Sequence, residues 1–84
     1  MIPYDFTRYA EKLFLKLPKD IQRRILEKLE FYLTQPNPLL FAKRLVGTTS
    51  PAYRFQMGDY RVVFDWEGDK VLITKVGHRR EIYR

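Results

Sequence analysis

Residues 53–64, with the sequence YRFQMGDYRVVF, determine the fold class of this chain. Apolar residues alternate with other residues on both sides of Gly58-Asp59, which is the pattern of two β-strands joined by a two-residue turn. Glycine at the first turn position favours a type II′ turn, because that position needs a positive φ. The stretch therefore predicts an antiparallel hairpin in which Met57 pairs with Tyr60.

Alternation along this hairpin divides its side chains between two faces of a sheet. The face predicted to cover the core carries Tyr53, Phe55, Met57, Tyr60, Val62 and Phe64. On the opposite face Arg54, Gln56 and Arg61 should lie close together, because the turn pairs Gln56 with Arg61. These donors suit a phosphate group. The same three side chains would also serve simply to solvate the exposed face of a half-buried sheet. Because alternation places Arg61 on that exposed face, replacing it should leave the core intact and change stability little.

Upstream of the hairpin, the pattern predicts one strand and two helices. Residues 2–6 alternate, and Pro3 lacks an amide proton, so this strand should either lie at a sheet edge or turn its missing donor outward. Apolar residues at helical spacing predict a helix that begins after Thr7 and extends to residue 17. A second helix begins at Pro18 and ends before residues 35–38, and the tight junction predicts an antiparallel helical hairpin.

The remaining segments complete the expected topology. Residues 36–51 are predicted to form a connection with one short helical turn at residues 39–43. A turn at residues 67–69 leads into a third strand over residues 70–76. The order predicts an α+β domain with two N-terminal helices on one side of a small, mostly antiparallel sheet.

Composition limits the class of protein. The chain has 84 residues, enough for one domain over residues 1–84, and no cysteine for disulfides, thiol catalysis or cysteine-based zinc sites. We expect no metal and no cofactor. No segment has the roughly 18 apolar residues of a membrane span, so a cytoplasmic protein is expected. Sixteen Lys and Arg against ten Asp and Glu give a net charge of +6, which favours nucleic acid or an acidic protein as partner.

The C-terminal residues 76–84, VGHRREIYR, are strongly basic. If the strand at residues 70–76 lies beside the second strand of the hairpin, Val76 should be level with Arg61. His78 and Arg79 would then come within reach of the face that carries Arg54, Gln56 and Arg61.

Residues 53–64 and residues 76–83 together strongly resemble the RelE/ParE toxin superfamily of bacterial and archaeal toxin–antitoxin systems. The junction at residues 17–18 and the sequence LVG at residues 45–47 are also similar to that superfamily. The resemblance implies a single RelE-like toxin domain with a curved sheet. RelE-type members cut mRNA in the ribosomal A site, whereas ParE-type members lack the nuclease residues and poison DNA gyrase.

The resemblance also implies roles for individual residues. Arg61 matches the arginine that contacts phosphate, and Arg79 and Tyr83 match an arginine and a tyrosine of the tail. Arg54 and Gln56 occupy the places of two strand lysines, and only Arg54 keeps the charge. The expected catalytic residues are Arg61, Arg79, His78 and Tyr83, and the expected RNA-binding residues are Arg54, Gln56 and Arg80.

These residue types suit metal-independent RNA cleavage by an adjacent 2′-OH. Arg61 and Arg54 would stabilise the phosphorane, and His78 is the best candidate for acid–base chemistry. Tyr83 would either stack on a base and orient the sugar or serve as the general base. The leading hypothesis is a ribosome-dependent mRNA endoribonuclease toxin that inhibits translation and is neutralised by a cognate antitoxin. A ParE-like gyrase poison and an RNA-binding domain without activity are the alternatives, and Gln56 in place of a lysine favours them.

Overall fold

A single sheet organises the chain, for which a computed structural model describes residues 1–47 and 52–82. In chain order the elements are β1 (Tyr4–Phe6), α1 (Arg8–Leu15), α2 (Lys19–Thr34), a 3-10 helix (Pro38–Phe41), β2 (Ala42–Arg44), β3 (Ala52–Met57), β4 (Tyr60–Trp66), β5 (Val71–His78) and α3 (Arg79–Ile82). The strands follow the order β1-β5-β4-β3-β2. Only the β1–β5 pair is parallel within this sheet, so the predicted α+β class with a mostly antiparallel sheet is confirmed.

The hairpin of β3 and β4 has the predicted register. Met57 pairs with Tyr60, and Gln56 pairs with Arg61. Gly58 has a φ of 62°, and no residue other than glycine has a positive φ in the described chain. A positive φ at the first turn position alone fits the predicted type II′ turn.

Helices α1 and α2 pack on one face of the sheet, which we call the helix face. The rings of Phe55 and Phe64 stack there with centroids 4.5 Å apart. Tyr53, Met57 and Tyr60 lie at the border of this core, as predicted. The buried core side chains are Ala10 and Phe14 of α1, Ile25, Leu29 and Leu33 of α2, and Phe55, Val62, Phe64, Val71, Ile73 and Val76 of the sheet.

Polar side chains fix the ends of α1. Thr7 is the N-cap as predicted, and its hydroxyl oxygen accepts the N–H of Ala10 at 3.1 Å. At the other end the buried amide of Gln22 donates to the carbonyls of Leu15 and Leu17, at 3.3 and 2.9 Å. These bonds satisfy carbonyl groups that have no partner within the helix.

The predicted edge position of β1 is confirmed, since β1 is the outermost strand beside β5. The carbonyl of Pro3 accepts the N–H of Val71 at 3.0 Å. Lys70 forms a salt bridge of 2.9 Å with Asp5, and this carboxylate raises the pKa of the Lys70 ammonium group. Within the described chain, no helix combines the length and the apolar character that crossing a bilayer requires.

Three features differ from the sequence-based prediction. The predicted connection contains a strand, β2, and its helical turn lies at Pro38–Phe41. A strand of three residues is too short to display alternation, and β2 is recognised only by its antiparallel pairing with β3. The third strand continues to His78, and one helical turn, α3, follows it.

The third difference is a β-bulge in β5. Phe64 pairs with Ile73 and Val63 pairs with Lys75, so Thr74 is an extra residue without a partner on β4. The Thr74 hydroxyl donates to the carbonyl of Val63 at 3.4 Å. Because of this extra residue, Ile73 and Val76 both face the core although they are three positions apart.

Replacing Phe55 by alanine should destabilise the fold severely, because the ring is fully buried. We expect a loss of about 3–5 kcal/mol in the free energy of unfolding, measured by urea denaturation. Phe31→Ala is the matched control: Phe31 is 53% exposed, and its loss should cost about 1 kcal/mol or less. Equal losses in the two variants would contradict this packing arrangement.

Candidate functional site

The sheet surface opposite the helix face, which we call the open face, brings together the three residues predicted from the hairpin. Gln56 of β3 lies directly across from Arg61 of β4. Arg54 lies two positions before Gln56 and therefore points to the same side. Gln56 is exposed, Arg54 is half-buried and Arg61 is buried, with 8% of its surface accessible.

Arg61 is held by the backbone of the hairpin turn. Its Nη1 donates to the carbonyl oxygen of Gly58 at 2.7 Å and to that of Tyr60 at 3.0 Å. Its Nε is buried and has no hydrogen-bond partner among residues 1–47 and 52–82. The expectation of a solvent-exposed Arg61 side chain is wrong, because the residue is buried and its guanidinium group donates to two main-chain carbonyls.

The same turn also holds Arg79. The N–H of Arg79 donates to the carbonyl oxygen of Asp59 at 2.7 Å. The Arg79 Nε lies 3.7 Å from a carboxylate oxygen of Asp59, and both side chains are exposed. The backbone of one turn therefore anchors Arg61 from one side and Arg79 from the other.

His78 does not join the open face. It pairs with Tyr60, whose side chain lies on the helix face, and the two rings contact each other with centroids 5.5 Å apart. Gly77, rather than Val76, lies across from Arg61. The bulge in β5 explains the difference from the prediction, because a register change of one residue moves every later side chain to the other face.

The His78 ring instead supports the backbone of the tail. Its Nδ1 accepts the N–H of Arg80 at 3.1 Å, so a neutral ring in this arrangement carries its proton on Nε2. Arg80 is exposed on α3. Tyr83, the remaining predicted site residue, lies outside the described residues.

The tail turns back onto the sheet through α3. Ile82 is buried, and a Cβ atom added to Gly77 would lie 3.8 Å from the Ile82 side chain. The Lys75 ammonium group donates to the carbonyl of Ile82 at 2.9 Å. Lys75 therefore connects β5 to the end of α3.

Sequence reasoning missed two cations of the open face. Lys43 of β2 lies across from Arg54, and Lys75 of β5 lies across from Val63 on the same side of the sheet. Lys43 fell within a predicted connection, and the bulge hid the direction of Lys75. Neither lysine forms a salt bridge within the described residues. In the same part of the chain, no group of three His, Cys, Asp or Glu residues could hold a metal ion.

Residues 4–83 match the family described as ParE toxin of type II toxin–antitoxin system, parDE. The chain belongs to this ParE toxin family. It is therefore a toxin of the type II class, with the RelE/ParE superfamily fold that the sequence predicted. Among curated protein sequences, none is similar enough to count as a match.

Solved structures similar to this toxin come from archaea and bacteria. The RelE–RelB complex of Pyrococcus horikoshii contains a chain with 30% identity and a TM-score of 0.70, over 96% of the toxin and 99% of that chain. The toxin–antitoxin complex RelBE2 of Mycobacterium tuberculosis contains a chain with 26% identity and a TM-score of 0.79, and the match covers 93% of the toxin and 98% of that chain. The isolated Escherichia coli RelE toxin has 25% identity and a TM-score of 0.73, and the match covers 99% of this chain and 92% of the RelE chain.

The turn contacts predict how Asp59 restrains Arg79. In Asp59→Asn the carboxylate charge is lost, so the Arg79 side chain should become more mobile. Stability should change by less than about 1 kcal/mol, because the ion pair is exposed. The heteronuclear NOE of the Arg79 Nε–H group should fall. Asp69→Asn, at the exposed turn after β4, is the control and should leave that NOE unchanged; an unaltered NOE in Asp59→Asn would contradict the restraint.

Proposed function

We propose that this toxin is a ribosome-dependent mRNA endoribonuclease that inhibits translation. The observation that carries the proposal is Arg61, a buried arginine oriented by two turn carbonyls on a sheet face that also presents Arg54 and Gln56. Similarity to RelE structures over nearly the whole chain supports the same assignment. A preorganised guanidinium group is well suited to stabilise charge that develops at a phosphate.

The proposed reaction needs no metal. The 2′-oxygen attacks the adjacent phosphorus, the bond from phosphorus to the 5′-oxygen breaks, and the products are a 2′,3′-cyclic phosphate and a 5′-OH. One group accepts the 2′-OH proton, and one group protonates the leaving 5′-oxygen. Arg61 and Arg54 stabilise the phosphorane, and Arg79 supplies further positive charge, because an arginine keeps its proton in proteins.

We assign proton transfer to Tyr83 rather than to His78. The contact of His78 with Tyr60, on the helix face, supports this choice, and the superfamily resemblance implies a role for the tail tyrosine. His78 then orients the tail by accepting the Arg80 N–H, and the exposed Arg80 side chain contributes to RNA binding. Tyr83→Phe should reduce cleavage if this assignment holds.

The central test is Arg61→Ala in a purified translation system. Cleavage of ribosome-bound mRNA should fall by about 10²–10³-fold, because a donor to the phosphorane is lost. Primer extension should map the cuts, and the 5′ ends should carry hydroxyl groups. The free energy of unfolding should fall by about 1–3 kcal/mol, because a buried guanidinium group that donates to two carbonyls is lost. Activity must therefore be compared at a temperature where the variant is folded. Arg23→Ala, an exposed arginine of α2, is the control and should stay active.

Poisoning of DNA gyrase is the second candidate function. The matching ParE family and the neutral Gln56 favour it. Induced expression in bacteria, with translation and DNA supercoiling followed in parallel, separates the two. Rapid translation arrest with cut mRNA supports the nuclease, whereas DNA breaks with intact mRNA would overturn it in favour of gyrase.

We further propose that an acidic cognate antitoxin neutralises the toxin in the cytoplasm. The net charge of +6 and the antitoxin-bound relatives support this partner. Co-expression with the neighbouring open reading frame should relieve toxicity and yield a complex that weakens with added salt. Persistent toxicity without a complex would count against this pairing.

A further inference from the structure

Four strands contribute one line of residues that crosses the open face. Lys43 pairs with Arg54, Arg54 pairs with Val63, and Val63 pairs with Lys75. Neighbouring strands lie about 4.8 Å apart, so this line spans about 14 Å from its first to its last residue. We call Lys43, Arg54 and Lys75 the cation row.

The cation row runs beside Arg61. The next line across the open face contains Gln56, Arg61 and Gly77. Each of these residues is two positions along its strand from Arg54, Val63 or Lys75, in the direction of the Gly58 turn. Two residues of a strand cover about 7 Å. A ligand bound along the cation row would therefore lie close to the buried guanidinium group of Arg61.

The opposite end of the open face has the opposite charge. There Asp5 pairs with Leu72, and Leu72 pairs with Asp65. Asp65 forms no salt bridge within the described residues, while Asp5 is neutralised by Lys70. A polyanion on this face is attracted to the cation row and repelled from the line that carries Asp65.

The two lysines have donors available for such a ligand. Lys43 is exposed and forms no salt bridge within the described chain. Lys75 is half-buried and donates to the carbonyl of Ile82. An ammonium group has three donors, so Lys75 retains others for a phosphate oxygen while it holds α3.

We propose that the cation row binds the sugar–phosphate backbone of single-stranded RNA on one side of the nucleotide that is cut. This inference rests on the proposed nuclease function for the identity of its ligand. The paired positions of the open face carry no aromatic side chain on which a base would stack. The row therefore recognises charge and not sequence, and Lys43 supplies a cation one strand away from the neutral Gln56.

The test measures binding separately from cleavage. The probe is a short RNA oligonucleotide with every 2′-OH methylated, which cannot undergo 2′-OH attack. Binding by the wild-type toxin is compared with Lys43→Ala and Lys75→Gln over a range of salt concentrations. The glutamine removes the charge and still carries an amide N–H as a donor, although its side chain is one atom shorter. Arg44→Ala is the matched control, because Arg44 is the next residue of β2 and pairs with Tyr53, whose side chain lies on the helix face.

Each row variant should bind about 3–10-fold more weakly at about 0.1 M salt, and its plot of log K against log salt should be shallower by about 0.7. Arg44→Ala should retain the wild-type slope. An unchanged slope in Lys43→Ala, an equal effect in Arg44→Ala, or no binding by the wild type would overturn the cation row. Equal dependence on Lys43 for duplex DNA would overturn the assignment to single-stranded RNA.

The binding measurement can fail or succeed independently of the test for mRNA cleavage on the ribosome. If ribosomal mRNA is cut but Lys43→Ala binds the probe normally, the cation row is wrong and the nuclease stands. If the probe shows the expected salt dependence but mRNA is never cut, the nuclease is wrong and the toxin retains an RNA-binding surface.

Discussion

The register of the hairpin formed by β3 and β4 is the constraint on which the rest of the structure depends. The two-residue turn at Gly58 and Asp59 fixes which side chains face the helices and which face the other way. Its carbonyls then hold Arg61 and the backbone of Arg79. One local backbone conformation thereby sets both the packing of the core and the orientation of two charged groups, because a shift of one residue would exchange the two faces.

The two faces of the sheet have different roles: one packs the core, and the other presents charged groups. On the helix face, stacked rings such as Phe55 and Phe64 exclude water and give the domain its stability. The open face carries fewer packed side chains, although α3 lies against Gly77 and Lys75 there. Arg61 also belongs to the open face, and yet it is buried and bonded to the turn. Its orientation is consequently part of the folded structure and does not wait for a ligand.

Local signals made much of this structure predictable. The alternation around Gly58, the helical spacing of apolar residues and the Thr7 cap each act over a few residues, and all three were confirmed. β2, by contrast, forms only through its pairing with β3, and its three residues are too few to show a pattern of their own. The faces of His78 and Lys75 depend on the bulge, which only the pairing of β4 with β5 reveals. Within the candidate site, the hairpin members were therefore predictable and the contributions of β2 and β5 were not.

Thr74 shifts the register of β5 against β4 by one residue, so every later side chain of the strand changes face. If β5 kept its sequence but paired without the bulge, Thr74 would lie across from Val63 and Val76 across from Arg61, and the imidazole of His78 would emerge on the open face. The bulge therefore places glycine instead of valine across from Arg61, and it moves the imidazole of His78 to the helix face. Chains that share the hairpin and the tail but lack the bulge would present the tail side chains on the opposite faces of the sheet.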